Sequence, residues 1–193
     1  MPCFLDTMLF GKLLTAVDRK KLPPEVLSEV LLSPITALES AQHRGKLRIM
    51  RDHSSHLRPL QSRFVRNPES FNDFKTLLST ENPEHFRGQL DALHAQCAVY
   101  PPFLSFHLSR YGKNPPKSIA DSQRFTSDVR DSMQLIISQE IPFVTGDADL
   151  RKKSSGMLRC QVIHSDSDLN CILASIRFVS LGWLTADKVG AAS

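Results

Sequence analysis

Four acidic residues stand where strand-like or helical segments begin or end. Asp6 follows the apolar run Cys3-Phe4-Leu5, and Glu39 follows Leu31-Leu32-Ser33-Pro34-Ile35. Asp128 opens a helical pattern, and Asp147 follows Ile141-Pro142-Phe143-Val144-Thr145. In a parallel α/β sheet the carboxyl ends of the strands line one edge, and ligands bind there. Carboxylates gathered on such an edge repel one another, so a divalent cation among them is what makes the cluster tolerable. All-oxygen donors select a hard ion, Mg²⁺ or Mn²⁺.

Each acid also has a plain structural use. Asp6 can cap the helix that follows it. Thr36-Ala37-Leu38-Glu39 reads as a capping box in which Glu39 satisfies an orphan backbone donor. Asp128 and Asp131 fall in a first helical turn, where the helix dipole favours negative charge. Asp147 and Asp149 flank Gly146 in a turn. The order of the set is what singles it out. An acid follows three separate strand-like segments, and another opens the helix leading into the third.

The elements that must position these residues read as follows. Residues 2–6 form a short buried strand, and Thr7 to Val17 a helix with Leu9, Leu13 and Val17 on one stripe. Pro23-Pro24 starts a helix through Val30. Leu31 to Ile35 is a second strand, and Thr36 opens a helix through about Arg44. From 49 to 125 the chain is helical in character, and the clearest helix is 84–98 with Phe86, Leu90, Leu93 and Cys97 on one face. Tyr100 to Tyr111 is a further helix, and Lys113 to Lys117 a loop. Asp128 to Gln139 is amphipathic with Val129, Met133, Ile136 and Ile137 inward. Ile141 to Val144 is a strand buried on both faces, and Leu158 to Ile163 another. Ser167 or Asp166 caps a last helix over about Asp168 to Val179, and the tail from Thr185 to Ser193 is flexible. Strand and helix alternate at both ends of the chain, which predicts an α/β fold with a parallel sheet covered by helices.

The bulk composition sets bounds on this reading. With 193 residues, 41% of them hydrophobic, the chain can build one domain with a real core. Its net charge of +4 is a mild basic excess, compatible with a polyanionic partner. Four cysteines, none in a C-x-x-C pair, exclude a zinc ribbon and read as buried thiols. No apolar stretch is long enough to span a bilayer, so the expectation is a cytoplasmic protein without a membrane partner. His53 and His56 stand one turn apart without further ligands at zinc spacing. Tyr100, Phe103 and Phe106 could stack on bases, but the plainer reading packs them in the core. Trp183, beside Leu181 and Leu184, docks on the body or forms a homodimer contact.

Four segments together resemble the PIN-domain family of metal-dependent nucleases, which includes many bacterial toxin ribonucleases. Phe4-Leu5-Asp6-Thr7 is similar to the family's first motif, and Ser33 through Glu39 resembles the second. Asp128-Val129-Arg130 and the run Ile141 through Leu150, with Thr145-Gly146-Asp147 as Thr-x-Asp, resemble the third and fourth. The likeness covers about residues 2–44 and 126–165. It implies a three-layer α/β/α sandwich, here a single domain over 1–184, with one acidic pocket. It further implies Asp6, Glu39, Asp128 and Asp147 as catalytic ligands of Mg²⁺ or Mn²⁺, with Asp128 preferred over Asp131. Thr145, Thr7 and Asp149 would support them from outside, and Arg151-Lys152-Lys153 would bind substrate phosphate. The implied partners are an RNA substrate and an antitoxin protein. Met8 departs from the Asn that often follows Asp-Thr in the family, and the segment between the second and third motifs is long. The rival readings are a PIN-like binding module without cleavage and a hydrolase of small phosphoesters.

Overall fold

Two short apolar segments, Cys3-Phe4-Leu5 and Phe143-Val144-Thr145, carry the centre of the fold because every residue in them is buried. The structure, a computed structural model, describes residues 2–59, 78–80, 82–119, 121, 126–138, 141–150 and 162–189, with side chains of the last helix up to Leu181. The strands are β1 (Cys3–Leu5), β2 (Val30–Leu31), β3 (Phe143–Thr145) and β4 (Val162–His164). They form one sheet in the order β2-β1-β3-β4, and every pairing is parallel. Phe4 lies opposite Leu31 on one side and Phe143 on the other, so β1 is central. The chain leaves β1 for β2 on one flank and returns to β3 on the opposite flank. The strand order therefore reverses at β1–β3, the place where open α/β sheets hold ligands.

Helices connect the strands. They are α1 (Thr7–Asp18), α2 (Pro34–Ala41), α3 (Arg44–Asp52), α4 (Pro83–Ala98), α5 (Pro101–Tyr111), α6 (Thr126–Ile137) and α7 (Leu169–Val189). Two 3-10 helices, Pro24–Glu29 and Ser54–His56, complete the described elements. One hydrophobic cluster runs from Cys3 to Val179, with Phe4, Phe10, Phe86, Phe103 and Phe143 among its largest fully buried side chains. Each such phenylalanine contributes about 1.5–3 kcal/mol by leaving water. The expected inward faces are found on α4 (Phe86, Leu90, Leu93, Cys97) and on α6 (Val129, Met133, Ile136, Ile137). No helix among the described residues is long and apolar enough to cross a membrane.

Several boundaries differ from the sequence reading. The second strand is Val30–Leu31 rather than Leu31 to Ile35. Ser33 turns the chain into α2 instead, and its hydroxyl accepts from Thr36 N with Pro34 at the first helical position. That same cap places the helix start upstream of the expected Thr36. Asp168 caps α7 itself, accepting from Asn170 N at 2.9 Å, and α7 continues to Val189 because no proline follows Val179. Residues 185–189 of the expected flexible tail are thus helical, and 190–193 lie outside the described residues. Phe103 and Phe106 are core residues. The basic run at 44–51 forms α3, where Arg48 pairs with Asp18 and Asp52. Arg51 there donates to Leu78 O and Thr80 O. Cys3 and Cys97 are buried free thiols, each pushed up to about 12 by burial. Cys171 is free and half-buried, and Cys160 lies outside the described residues.

The sequence reading missed two histidines that sit wholly inside this core, His94 on α4 and His107 on α5. His107 Nδ1 lies 3.0 Å from the Ser132 hydroxyl. His107 Nε2 and both ring nitrogens of His94 are buried without a hydrogen-bond partner. Burial lowers both imidazoles below their ordinary 6.5, opposed by Asp91 at His94 and by Asp128 at His107, where Lys113 and His94 add to the lowering. The folded chain therefore keeps them neutral at a pH where the unfolded chain already takes up protons. Stability contributed by these groups is present above 6.5 and is lost as pH falls below it toward their folded values. Urea midpoints measured from about pH 8 down to about pH 5 are expected to fall, and His94→Phe/His107→Phe to flatten that fall. An unchanged pH slope in the double variant would show that other groups set it.

Candidate functional site

The carboxyl end of β1 delivers Asp6 into the start of α1. Asp6 has extended backbone angles and acts as the helix N-cap, its Oδ1 accepting from Leu9 N at 2.7 Å. Its Oδ2 accepts from the Thr145 hydroxyl at 2.6 Å and from Gly146 N at 2.7 Å. Asp6 N also donates to Val144 O at 3.0 Å, which extends the β1–β3 ladder by one bond. One carboxylate thus ties α1, the end of β3 and the turn beyond it. Thr145 is fully buried, and its oxygen in turn accepts from Asp147 N at 3.0 Å. Asp147 is exposed and uses Oδ1 to accept from Asp149 N and Leu150 N, capping the helical residues 148–150. Asp149 is exposed as well.

A Cβ at Gly146 would overlap the Met8 terminal methyl. Met8 is 49% exposed, and its thioether covers the turn at Gly146.

Glu39 reaches the same edge from α2. It does not belong to a capping box, because Ser33 caps that helix. Its Oε2 accepts from the Thr7 hydroxyl, and its Oε1 pairs with Arg130 Nη1 at 3.0 Å. Thr7 directly follows Asp6, so the two hydrogen-bonded groups are joined by one peptide bond. Beneath them lies a buried polar cluster. The Thr36 hydroxyl is 3.2 Å from Leu5 O and 3.4 Å from Gln134 Oε1, and the Ser33 hydroxyl is 3.3 Å from the same Gln134 oxygen. This cluster seats the start of α2 and the middle of α6 on the end of β1.

The structure brings Asp6, Thr145 and Asp147 together through hydrogen bonds, and Thr7 with Glu39. Asp128 and Asp131 are half-buried on α6. The Asp128 carbonyl accepts from Ser132 Oγ at 2.9 Å. Arg151, Lys152 and Lys153 lie outside the described residues. The sequence reading missed Arg130, Gln134 and the Ser33 cap. Ser33-Pro34 was the available signal for the cap, since proline favours the first helical position. Periodicity carries no signal for the Arg130–Glu39 pairing.

The donor set is hard oxygen throughout, which fits Mg²⁺ or Mn²⁺ in kind. In placement, among the described residues, no three His, Cys, Asp or Glu side chains are grouped so as to hold one metal ion. Searches for similar proteins found no matching family model, curated protein or solved structure.

Thr145 is the joint of this edge, since its hydroxyl donates to Asp6 and accepts from Asp147 N. Thr145→Val removes one of the two donors to the half-buried Asp6 Oδ2 and the acceptor of the Asp147 amide, and is expected to cost about 1–3 kcal/mol in urea denaturation. Thr145→Ser keeps the hydroxyl and is expected to retain most of the stability. Equal stability of the Val variant and wild type would remove the joint.

Proposed function

We propose that this chain is a divalent-metal-dependent nuclease that hydrolyses RNA phosphodiester bonds on a PIN-like α/β/α sandwich. The observation that carries the reading is the Asp6 carboxylate held by Thr145 and Gly146 at the strand-order reversal. It sits one residue from the Thr7 that holds Glu39. Asp6, Glu39, Asp128 and Asp147 are the acids that would hold Mg²⁺ or Mn²⁺, which requires them to draw closer together than the described residues place them. Such an ion, when bound, supplies an acidified water and neutralises charge growing on the phosphate. The chain's own residues do the aiming. Thr145 and Gly146 N fix the Asp6 carboxylate, and Thr7 fixes Glu39. Asp147 is held by the amides of Asp149 and Leu150, which donate to its Oδ1. A carboxylate has about four acceptor positions, so capping leaves capacity for a ligand.

A second reading, a binding module without cleavage, is favoured by the Arg130–Glu39 ion pair. Under that reading Glu39 is already neutralised and the edge serves recognition.

Hydrolysis of RNA, of DNA and of a small phosphoester, each with Mn²⁺ and with chelator, separates these readings. Mn²⁺-dependent cleavage of RNA is expected, and Asp128→Asn and Asp147→Asn are each expected to reduce it by about 100-fold or more with the fold intact. Asn can cap as Asp does, so Asp147→Asn tests chemistry apart from stability. Saturating Mn²⁺ is expected to raise stability, by about 2.7 kcal/mol at a hundred times its Kd. Wild-type turnover in both variants would discard the site. Absence of cleavage and of Mn²⁺ stabilisation would leave the binding module.

A further inference from the structure

The last helix carries a face that the Asp6 edge does not use. Arg177, Ser180 and Leu181 stand at the three- and four-residue spacing that puts side chains on one side of α7. Together with Pro2, Glu29 and Arg58 they line an open cavity of about 520 Å³. Cavities of about 300–1,000 Å³ hold small molecules. Pro2 directly precedes β1 and Glu29 directly precedes β2, so the cavity lies at the amino ends of the strands, whereas Asp6 follows β1 at its carboxyl end. We propose that this cavity binds a small organic monoanion, a carboxylate joined to an apolar body, with Arg58 and Arg177 holding the carboxylate.

Charge carries the choice of ligand. The lining sets two guanidinium groups against the single carboxylate of Glu29 and so keeps an excess of one positive charge. Among the described residues neither arginine forms an ion pair, with Glu29 or with any other acid. Arg58 is fixed by the fold. Its carbonyl accepts from Leu32 N at 2.8 Å, which lays this segment beside β2, and its Nη1 donates to Ser28 O at 3.2 Å. A guanidinium has five N–H donors in a fork that matches a carboxylate, so that one bond leaves donors for a ligand. The Ser180 hydroxyl donates to Ile176 O at 3.0 Å, which leaves recognition of an anion to the arginines. One excess positive charge suits a monoanion, and Glu29 repels a second negative charge. The apolar part of the ligand follows from Pro2 and Leu181. Leu181 is 65% exposed and Phe178, three residues before it on α7, is 64% exposed, so this end of the helix leaves apolar surface in water that a hydrocarbon would cover.

Calorimetric titration of sodium octanoate into the full chain tests the site, with octanol and inorganic phosphate as comparison ligands. Octanoate is expected to bind, and each comparison ligand to bind about tenfold more weakly or not at all. Arg177→Gln is expected to lower octanoate affinity about tenfold, and addition of Arg58→Gln to lower it further. Glu29→Gln is expected to raise it. Arg177 and Leu181 are exposed, so Arg177→Gln and Leu181→Asp keep the fold even if loss of the Arg58 tie to Ser28 does not, and Leu181→Asp is expected to abolish binding. No octanoate binding by wild type, or unchanged affinity in Arg177→Gln and Leu181→Asp, overturns the proposal. Octanol bound as tightly as octanoate would mean a purely apolar cleft, and inorganic phosphate bound as tightly would mean a bare cationic patch; either result overturns it too. None of these readouts involves a metal ion or turnover, so the nuclease reading is untouched by their failure.

Discussion

The Asp6 carboxylate is the constraint on which the sheet edge depends. It sits where a fully buried strand ends, and each of its oxygens must find donors as the chain leaves the sheet. The donors come from Leu9 N in its own helix, from the Thr145 hydroxyl and from Gly146 N. Hydrogen bonds to a charged group contribute about 1.5–3 kcal/mol each. These bonds set the start of α1, the end of the β1–β3 pairing and the path of the next turn. Everything else at the edge follows by adjacency. Thr7 comes next in the chain and meets Glu39, Glu39 meets Arg130, and Arg130 belongs to the helix that also carries Asp128. A capping residue chosen by backbone chemistry thereby orders a set of charged side chains.

Capping and ligand binding are often weighed as rival explanations for an acid at a strand end. Here they are compatible. Asp147 caps residues 148–150 through Oδ1, which accepts from Asp149 N and Leu150 N. Asp6 is more heavily engaged, with both oxygens accepting from neutral donors. Glu39 differs in kind, because a guanidinium neutralises it. The electrostatic state of the edge is therefore decided at Glu39 more than at the caps.

Much of this fold was legible in the sequence because burial leaves periodic traces. The continuous runs at Cys3-Phe4-Leu5 and Phe143-Val144 mark strands covered on both faces, and Phe86, Leu90, Leu93 and Cys97 mark the inward stripe of α4. The second strand and its helix were misplaced because two start signals compete within four residues. Ser33-Pro34 and Thr36 with Glu39 are both plausible helix openings, and the first prevails. There the Ser33 oxygen reaches an orphan amide while proline gives up none. The placement of Asp6 beside Thr145 was legible through parallel pairing alone. Arg130, Gln134, His94 and His107 were not. Their partners lie on other elements or are lacking, and a polar residue on a buried face looks in sequence like an interruption of the pattern.

The position of Asp128 is set by a different class of force from that of the other acids. Among the described residues, no cap fixes it to the sheet edge. The orientation of α6 is held instead by Gln134 against Ser33 and Thr36, and by Ser132 against His107, all buried. Asp128 and Arg130 are two residues apart, so they project about 200° from one another around that helix. The buried polar contacts of α6 fix its seating, since each left unpaired inside the core costs about 1–3 kcal/mol. The Arg130–Glu39 pair and the seating of α6 are therefore linked, since the buried polar residues that hold α6 also place Arg130 beside Glu39.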